Sequence, residues 1–244
     1  MLSILDDDLR IKLISFIDFT RLQENDLVEH VQQFCHQATT PYGAVAAVCV
    51  YPRYVKVTQL ALQKTPIKIA TVINFPEGNQ DIHRCVSDIH EAIKEGANEI
   101  DLVLPYVSFL KNESLFCLHF IQHCKEACGP DVLLKVILET GALKSPSLIE
   151  QATLLAIEGG ADFIKTSTGK ISTGATLEAA EIILKTIAST LKKVGFKASG
   201  GIQTPEQAFS YFTLAQRILG ESWPTPYTFR LGVSQLLSNL LKPE

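Results

Sequence analysis

Eight successive strand-then-helix units, a chain of 244 residues, and charges recurring on one face of several strands predict an α/β fold, a TIM (β/α)8 barrel, as one domain over residues 1–244. Strict alternation requires parallel strands joined by crossover helices. A doubly wound open sheet is the competing arrangement, but strands covered by helices on both faces are apolar throughout. In Glu99-Ile100-Asp101-Leu102-Val103 the charges fall at alternate positions, and Leu133-Leu134-Lys135-Val136-Ile137-Leu138-Glu139 repeats the pattern. In Phe196-Lys197-Ala198-Ser199 the lysine shares a face with a serine. Such strands turn a polar face to a common interior.

A short helix opens the chain, and Asp6-Asp7-Asp8 reads as a solvated turn or cap. Residues 14–19 form an apolar first strand ending in D-F-T. A helix follows over 24–38, with Leu27, Val31, Phe34 and Ala38 on one side. Residues 44–50 are a strand of small and β-branched residues closed by Pro52, and Gln59 and Leu60 lie in the next helix. Residues 67–73 are the third strand, and N-F-P-E-G leads into a helix over 79–95. The fourth strand, 99–104, stops at Pro105 before a helix over 111–128. The fifth, 132–139, precedes a helix over 145–158, and the sixth is 161–165. A helix over 176–193 carries Leu177, Ile183, Ile187 and Leu191 as its apolar spacing. The seventh strand is 195–199, with a helix from Pro205 to 219; the eighth is 229–231, with a helix over 233–241.

Composition narrows the function classes. The chain is 46% hydrophobic and 20% charged, with a formal net charge of −4. No basic excess points to nucleic acid, and no lysine-rich block points to a membrane surface. The longest apolar runs are of strand length, so no bilayer span is expected. The start M-L-S-I-L-D-D-D-L-R has no positive region before an apolar core, so no signal peptide is expected. Six cysteines without a CxxC pair read as reduced thiols of a cytoplasmic protein. Cys117, Ile121, Cys124 and Cys128 make one helical stripe while His119 and His123 lie on another face, which favours core cysteines and exposed histidines over a metal cluster.

The chemistry gathers at D-F-I-K-T-S-T-G-K (162–170), where Lys165 ends a strand just before a polar loop suited to an anion. A lysine on a buried face costs free energy unless it is paired or neutral. A neutral lysine is a nucleophile able to form a Schiff base with a carbonyl. Asp101 is on the fourth strand, Lys135 on the fifth, Lys165 on the sixth and Lys197 on the seventh. With neighbouring strands about 4.8 Å apart, Lys165 is expected to have a lysine on each side and Asp101 one strand further, all near the C-terminal rim. An ordinary lysine has a pKa of about 10.4, and nearby ammonium groups lower it. A drop of about three units, roughly 4 kcal/mol, frees the amine at neutral pH. Asp101 pairs with the remaining cation or moves protons through a water. Solvated surface lysines near strand ends are the competing reading. Glu139 is expected to pair with a lysine. Cys49 reads as a small pocket-lining residue. Three glycine-bearing loops, S-T-G-K (167–170), S-G-G-I (199–202) and L-G-V-S (231–234), together with Lys170 make an anion site after the last three strands.

The stretches I-D-F-T-R-L (17–22), A-A-V-C-V-Y-P (46–52), N-F-P-E-G (74–78), E-I-D-L-V-L-P-Y (99–106), L-K-V-I-L-E-T-G (134–141), D-F-I-K-T-S-T-G-K (162–170), F-K-A-S-G-G-I (196–202) and F-R-L-G-V-S (229–234) occur in that order. Together they make a sequence that resembles the class I deoxyribose-phosphate aldolases. The resemblance implies reversible cleavage of 2-deoxy-D-ribose 5-phosphate to acetaldehyde and D-glyceraldehyde 3-phosphate, with no metal or other cofactor. It matches Lys165 to the Schiff-base lysine, Lys197 to the lysine that lowers its pKa, and Asp101 to the proton-transfer aspartate. Asp18, Thr20, Cys49, Lys135 and Thr168 match supporting positions; Gly169, Lys170, Gly200, Gly201, Gly232 and Ser234 match the phosphate site. Some members end in a tail whose terminal tyrosine assists proton transfer; here the last tyrosine is Tyr227, so tail-assisted enamine protonation is not expected, and turnover is expected either to be slower or to depend on another group. The expected partner is a small phosphosugar, with no nucleic acid or membrane, and a homodimer is the expected assembly. A phosphosugar isomerase or synthase without an imine, and a silent phosphometabolite-binding protein, remain the alternatives.

Overall fold

The computed structural model describes residues 6–242, in which eight parallel strands close into a barrel. The strands are β1 (Ile17–Arg21), β2 (Ala47–Val50), β3 (Lys68–Ile73), β4 (Glu99–Val103), β5 (Leu133–Ile137), β6 (Phe163–Lys165), β7 (Gly195–Ser199) and β8 (Phe229–Val233). Each pairs with its neighbours in sequence, and β8 closes the ring against β1 through Ile17↔Leu231 and Asp18↔Gly232. The helices are α1 (Asp7–Ser15), α2 (Val28–His36), α3 (Val55–Leu62), α4 (Ile82–Lys94), α5 (Ser114–Cys128), α6 (Pro146–Glu158), α7 (Leu177–Ser189), α8 (Pro205–Leu219) and α9 (Leu236–Leu240). Short helical turns at Tyr106–Leu110 and Thr140–Leu143 sit after β4 and β5.

Strand alternation divides the apolar residues into two layers. Ile100, Leu102, Leu134, Val136, Leu138, Ile164, Phe196, Ala198, Phe229 and Leu231 face outward into the core shared with the helices. Inside the barrel, Ala47, Cys49, Ala70 and Val72 form a separate apolar cluster from β2 and β3. The charged positions of β1, β4, β5, β6, β7 and β8 share the rest of the interior with buried residues such as Phe163.

Local sequence sets the helix starts. Asp6 caps α1 by accepting from the Leu9 N–H at 2.7 Å, so the acidic run is in part a cap. Thr204 caps α8, Pro205 takes its first position, and Gln207 completes a capping box. Two expectations shift. The segment before β2 is not continuous strand: Thr39–Thr40 and Gly43–Ala44 form a small antiparallel hairpin that turns through Pro41 and Tyr42, with Gly43 at φ +112°. Leu177 and Leu191 are exposed, and the buried face of α7 is Ala179, Ala180, Ile183, Leu184 and Ile187. Residues 177 and 183 are six apart, too far round a 3.6-residue turn to share a face, and Leu191 lies beyond the helix end. The expected absence of a signal peptide and of a terminal tyrosine rests in part on residues 1–5 and 243–244, which lie outside the described residues. Among the described residues no helix is long and apolar enough to cross a membrane.

Candidate active site

Seven charged side chains meet inside the barrel. Asp18 comes from β1, Glu99 and Asp101 from β4, Lys135 from β5, Lys165 from β6, Lys197 from β7 and Arg230 from β8; none is more than 3% exposed. The Lys165 ammonium bonds Asp101 Oδ2 at 2.7 Å, and Lys197 bonds the same oxygen at 2.6 Å and Asp18 Oδ2 at 2.5 Å. Lys135 reaches Glu99 at 2.5 Å, Asp101 Oδ1 at 3.1 Å and Asp18 at 3.2 Å. Arg230 bonds Asp18 at 2.5 Å and Glu99 at 2.8 Å. Alternation alone accounts for their common direction, because β-strand side chains of one parity share a face.

Height within the barrel follows from register. Lys165 pairs in register with Lys197 on one side but with Ile137 on the other. Lys135 lies two residues lower, opposite Phe163. The expectation of a lysine on each side of Lys165 is therefore corrected: Lys197 flanks it, and Lys135 reaches Asp101 from beneath. Barrel strands are staggered, so equal parity does not mean equal height. Of the four interior strand residues expected at the rim, only Lys165 ends its strand; Asp101, Lys135 and Lys197 are at mid-strand.

Electrostatics separates the lysines. Burial is the largest influence on Lys165 and drives its pKa down; Asp101 opposes this, Lys197 adds to it, and the net direction is down. The expected charge repulsion is thus secondary to desolvation. Burial also disfavours charge on Lys135 and Lys197, but Asp101 and Asp18 outweigh it, and both pKa values rise. Asp18 and Asp101 are pushed up by burial but held well below the ordinary carboxylate range by their lysine neighbours, joined at Asp18 by Arg230. Three carboxylates face four cations in this cluster. The cluster is electrically balanced when one cation is neutral, and Lys165 is the member whose pKa falls.

Above the cluster opens a cavity of about 980 Å³. Lys165 is the only member of the cluster that lines it, together with Thr20 and Thr168. All six positions matched to a phosphate site, Gly169, Lys170, Gly200, Gly201, Gly232 and Ser234, line the same cavity. Gly200 has φ +91°, and a Cβ there would sit 3.0 Å from Gly174 Cα and 3.3 Å from Gly169 Cα, so the loops after β6 and β7 meet through glycine backbones. The Lys170 ammonium reaches across to the Leu22 carbonyl at 2.9 Å. The Thr20 hydroxyl donates to the Asp18 carbonyl at 2.8 Å. The Thr168 hydroxyl donates to Glu139 at 2.5 Å and accepts from the Lys170 N–H at 3.0 Å.

Other expectations change on the structure. Glu139 bonds Thr168 rather than a lysine, in a left-handed conformation with φ +57° that the turn after β5 imposes, and burial raises its pKa. Cys49 does not line the cavity; it is fully buried beneath it, with burial pushing the thiol up to about 11. Cys117, Cys124 and Cys128 are buried, while His119 and His123 are exposed on the other face of α5. Sequence reading missed Arg230 and saw Glu99 only as part of a pattern. The available signal was Phe229-Arg230-Leu231-Gly232-Val233, whose alternation sets Arg230 on the same face as Gly232.

The profile of the DeoC/LacD family aldolases matches residues 6–220. A protein from Coccidioides immitis provisionally assigned as a deoxyribose-phosphate aldolase is 30% identical, with a TM-score of 0.83 over 93% of this chain and 85% of its own. The apo form of one from Toxoplasma gondii ME49, with the same provisional assignment, is 26% identical, with a TM-score of 0.88 over 96% of this chain and 94% of its own. The aldolase QR15 is 29% identical, with a TM-score of 0.81 over 95% of this chain and 96% of its own.

Proposed function

The chain belongs to the DeoC/LacD family of aldolases, and from that premise we propose that it reversibly cleaves 2-deoxy-D-ribose 5-phosphate through a Schiff base on Lys165. The observation that carries the reading is the placement of Lys165: a buried lysine of lowered pKa, alone of its cluster on the cavity that also holds the glycine loops and Lys170. The phosphate lies against Gly169, Lys170, Gly200, Gly201, Gly232 and Ser234, which directs the far end of an open-chain sugar toward Lys165.

The neutral amine attacks the C1 carbonyl, and the carbinolamine loses water to form an imine. Asp101, bonded to both Lys165 and Lys197, handles the protons of these steps, while the charge of Lys197 favours the neutral amine. The imine withdraws the electrons of the C2–C3 bond while the C3 hydroxyl gives up its proton. D-glyceraldehyde 3-phosphate leaves, and an enamine remains. Protonation at C2 and hydrolysis release acetaldehyde and restore the amine. Asp18, Lys135, Thr20, Cys49 and Thr168 support this centre by holding its charges and walls. The whole chain acts as one barrel domain.

The test is reduction with borohydride in the presence of acetaldehyde or 2-deoxyribose 5-phosphate, followed by peptide mapping. Label on Lys165 is expected. Label at another lysine refutes the assignment, and insensitivity to borohydride favours an isomerase or synthase that needs no imine.

A further inference from the structure

Beneath the reacting lysine lies a closed ring of ion pairs that the proposed chemistry does not touch. Glu99 bonds Lys135 at 2.5 Å and the Arg230 guanidinium at 2.8 and 3.2 Å. Arg230 bonds Asp18 at 2.5 Å, and Asp18 returns to Lys135 at 3.2 Å. Arg230 is further fixed by the Pro226 carbonyl and lies over the Phe163 ring at 5.7 Å. Phe163 has room there because Gly195 faces it: a Cβ at that position would sit 2.4 Å from the ring. Glu99 and Arg230 are 1% and 3% exposed, and neither lines the cavity nor bonds Lys165.

We propose that Glu99 and Arg230 are positioning residues of opposite sign that set the charge felt by Lys165, acting through Asp18, Lys135 and Asp101. A purely structural pair would have been simpler to build from apolar residues, since buried ion pairs often contribute little net stability. Here each member adjusts a balance. Asp18 and Asp101 share Lys135 and Lys197, so a charge added or removed at Glu99 or Arg230 is felt by the carboxylate bonded to Lys165. The other groups facing Lys165 are Lys197 from β7, Cys49 from β2, and Glu139 from the turn after β5. They are unchanged in the variants below.

The inference rests on Lys165 forming an imine, and the experiment separates the two ideas. Adducts of acetaldehyde are trapped with cyanoborohydride across a pH series, and modification of Lys165 is followed by peptide mapping, with thermal melts as a folding check. Arg230→Gln removes a cation, so the trapping midpoint should move to higher pH by on the order of one unit, a tenfold loss at fixed pH below it. Glu99→Gln removes an anion and should move it by a similar amount in the opposite direction. The double variant should return to the wild-type midpoint. Shifts of the same sign, or no shift, in both single variants would overturn the proposal. Should one single variant not fold, the other is compared with the double variant; a return toward wild type supports the balance, and none refutes it. Absence of an adduct on wild-type Lys165 would instead defeat the Schiff-base reading itself.

Discussion

Replacing Lys197 by methionine removes a cation while nearly keeping its volume. Both lysine ammonium groups bond one oxygen of Asp101, at 2.7 and 2.6 Å, so they lie within about 5.3 Å of each other. At an effective dielectric constant of about 20, two unit charges at that distance repel by on the order of 3 kcal/mol, equivalent to roughly two pH units. Losing that repulsion favours the protonated form of Lys165. At pH 7 the neutral amine, and with it kcat/KM, should fall roughly a hundredfold. The sign gives a second expectation: activity should return as pH rises, with the acid limb of the rate profile displaced upward by about two units. The protein should still fold, because Asp18 keeps Lys135 and Arg230, and Asp101 keeps Lys135 and Lys165. Initial rates of acetaldehyde release from pH 6 to 10, with a denaturation curve of the same variant, decide the matter. A folded variant with normal turnover, or one whose loss does not recover at high pH, would refute an electrostatic role for Lys197.

Lys197→Arg should also fail, despite keeping the charge: Lys197 is fully buried with its ammonium bonded to Asp18 and Asp101, contacts a planar fork does not reproduce, and the rate profile should not recover at any pH. Gly200→Ala should raise KM for the phosphorylated substrate at least several-fold while acetaldehyde still modifies Lys165; φ +91° and the 3.0 Å approach to Gly174 disfavour a side chain there, and unchanged KM would contradict the phosphate assignment. Asp18 and Asp101 titrate lower folded than unfolded, so the stability they contribute is present above about pH 4 and lost as pH falls below it. Urea midpoints from pH 7 to pH 3 should therefore fall on the acid side. Iodoacetamide at pH 7 should leave Cys49 unmodified until the protein is unfolded, because the thiol is fully buried and raised to about 11.

Much of this barrel was legible along the chain. Alternation in β4, β5 and β7 sorted outward apolar residues from inward charges, because strand parity is a local property of the backbone. The loop glycines were legible for a similar reason: a left-handed turn such as that at Gly200 leaves few other residues. Helix faces were less secure where the spacing departed from 3.6 residues, as Leu177 showed.

What the residues determined by themselves was which side chains enter the barrel and which loops carry the glycines at its mouth. What only the tertiary structure decided was their height and company: Lys135 below Lys165, Arg230 locked to Glu99 and Asp18, Cys49 sealed under the cavity, and Glu139 turned to Thr168. The physical reason is that direction follows from one strand's own pleat, whereas level, desolvation and charge balance arise only when eight staggered strands close and bring residues as distant as Asp18 and Arg230 within 2.5 Å.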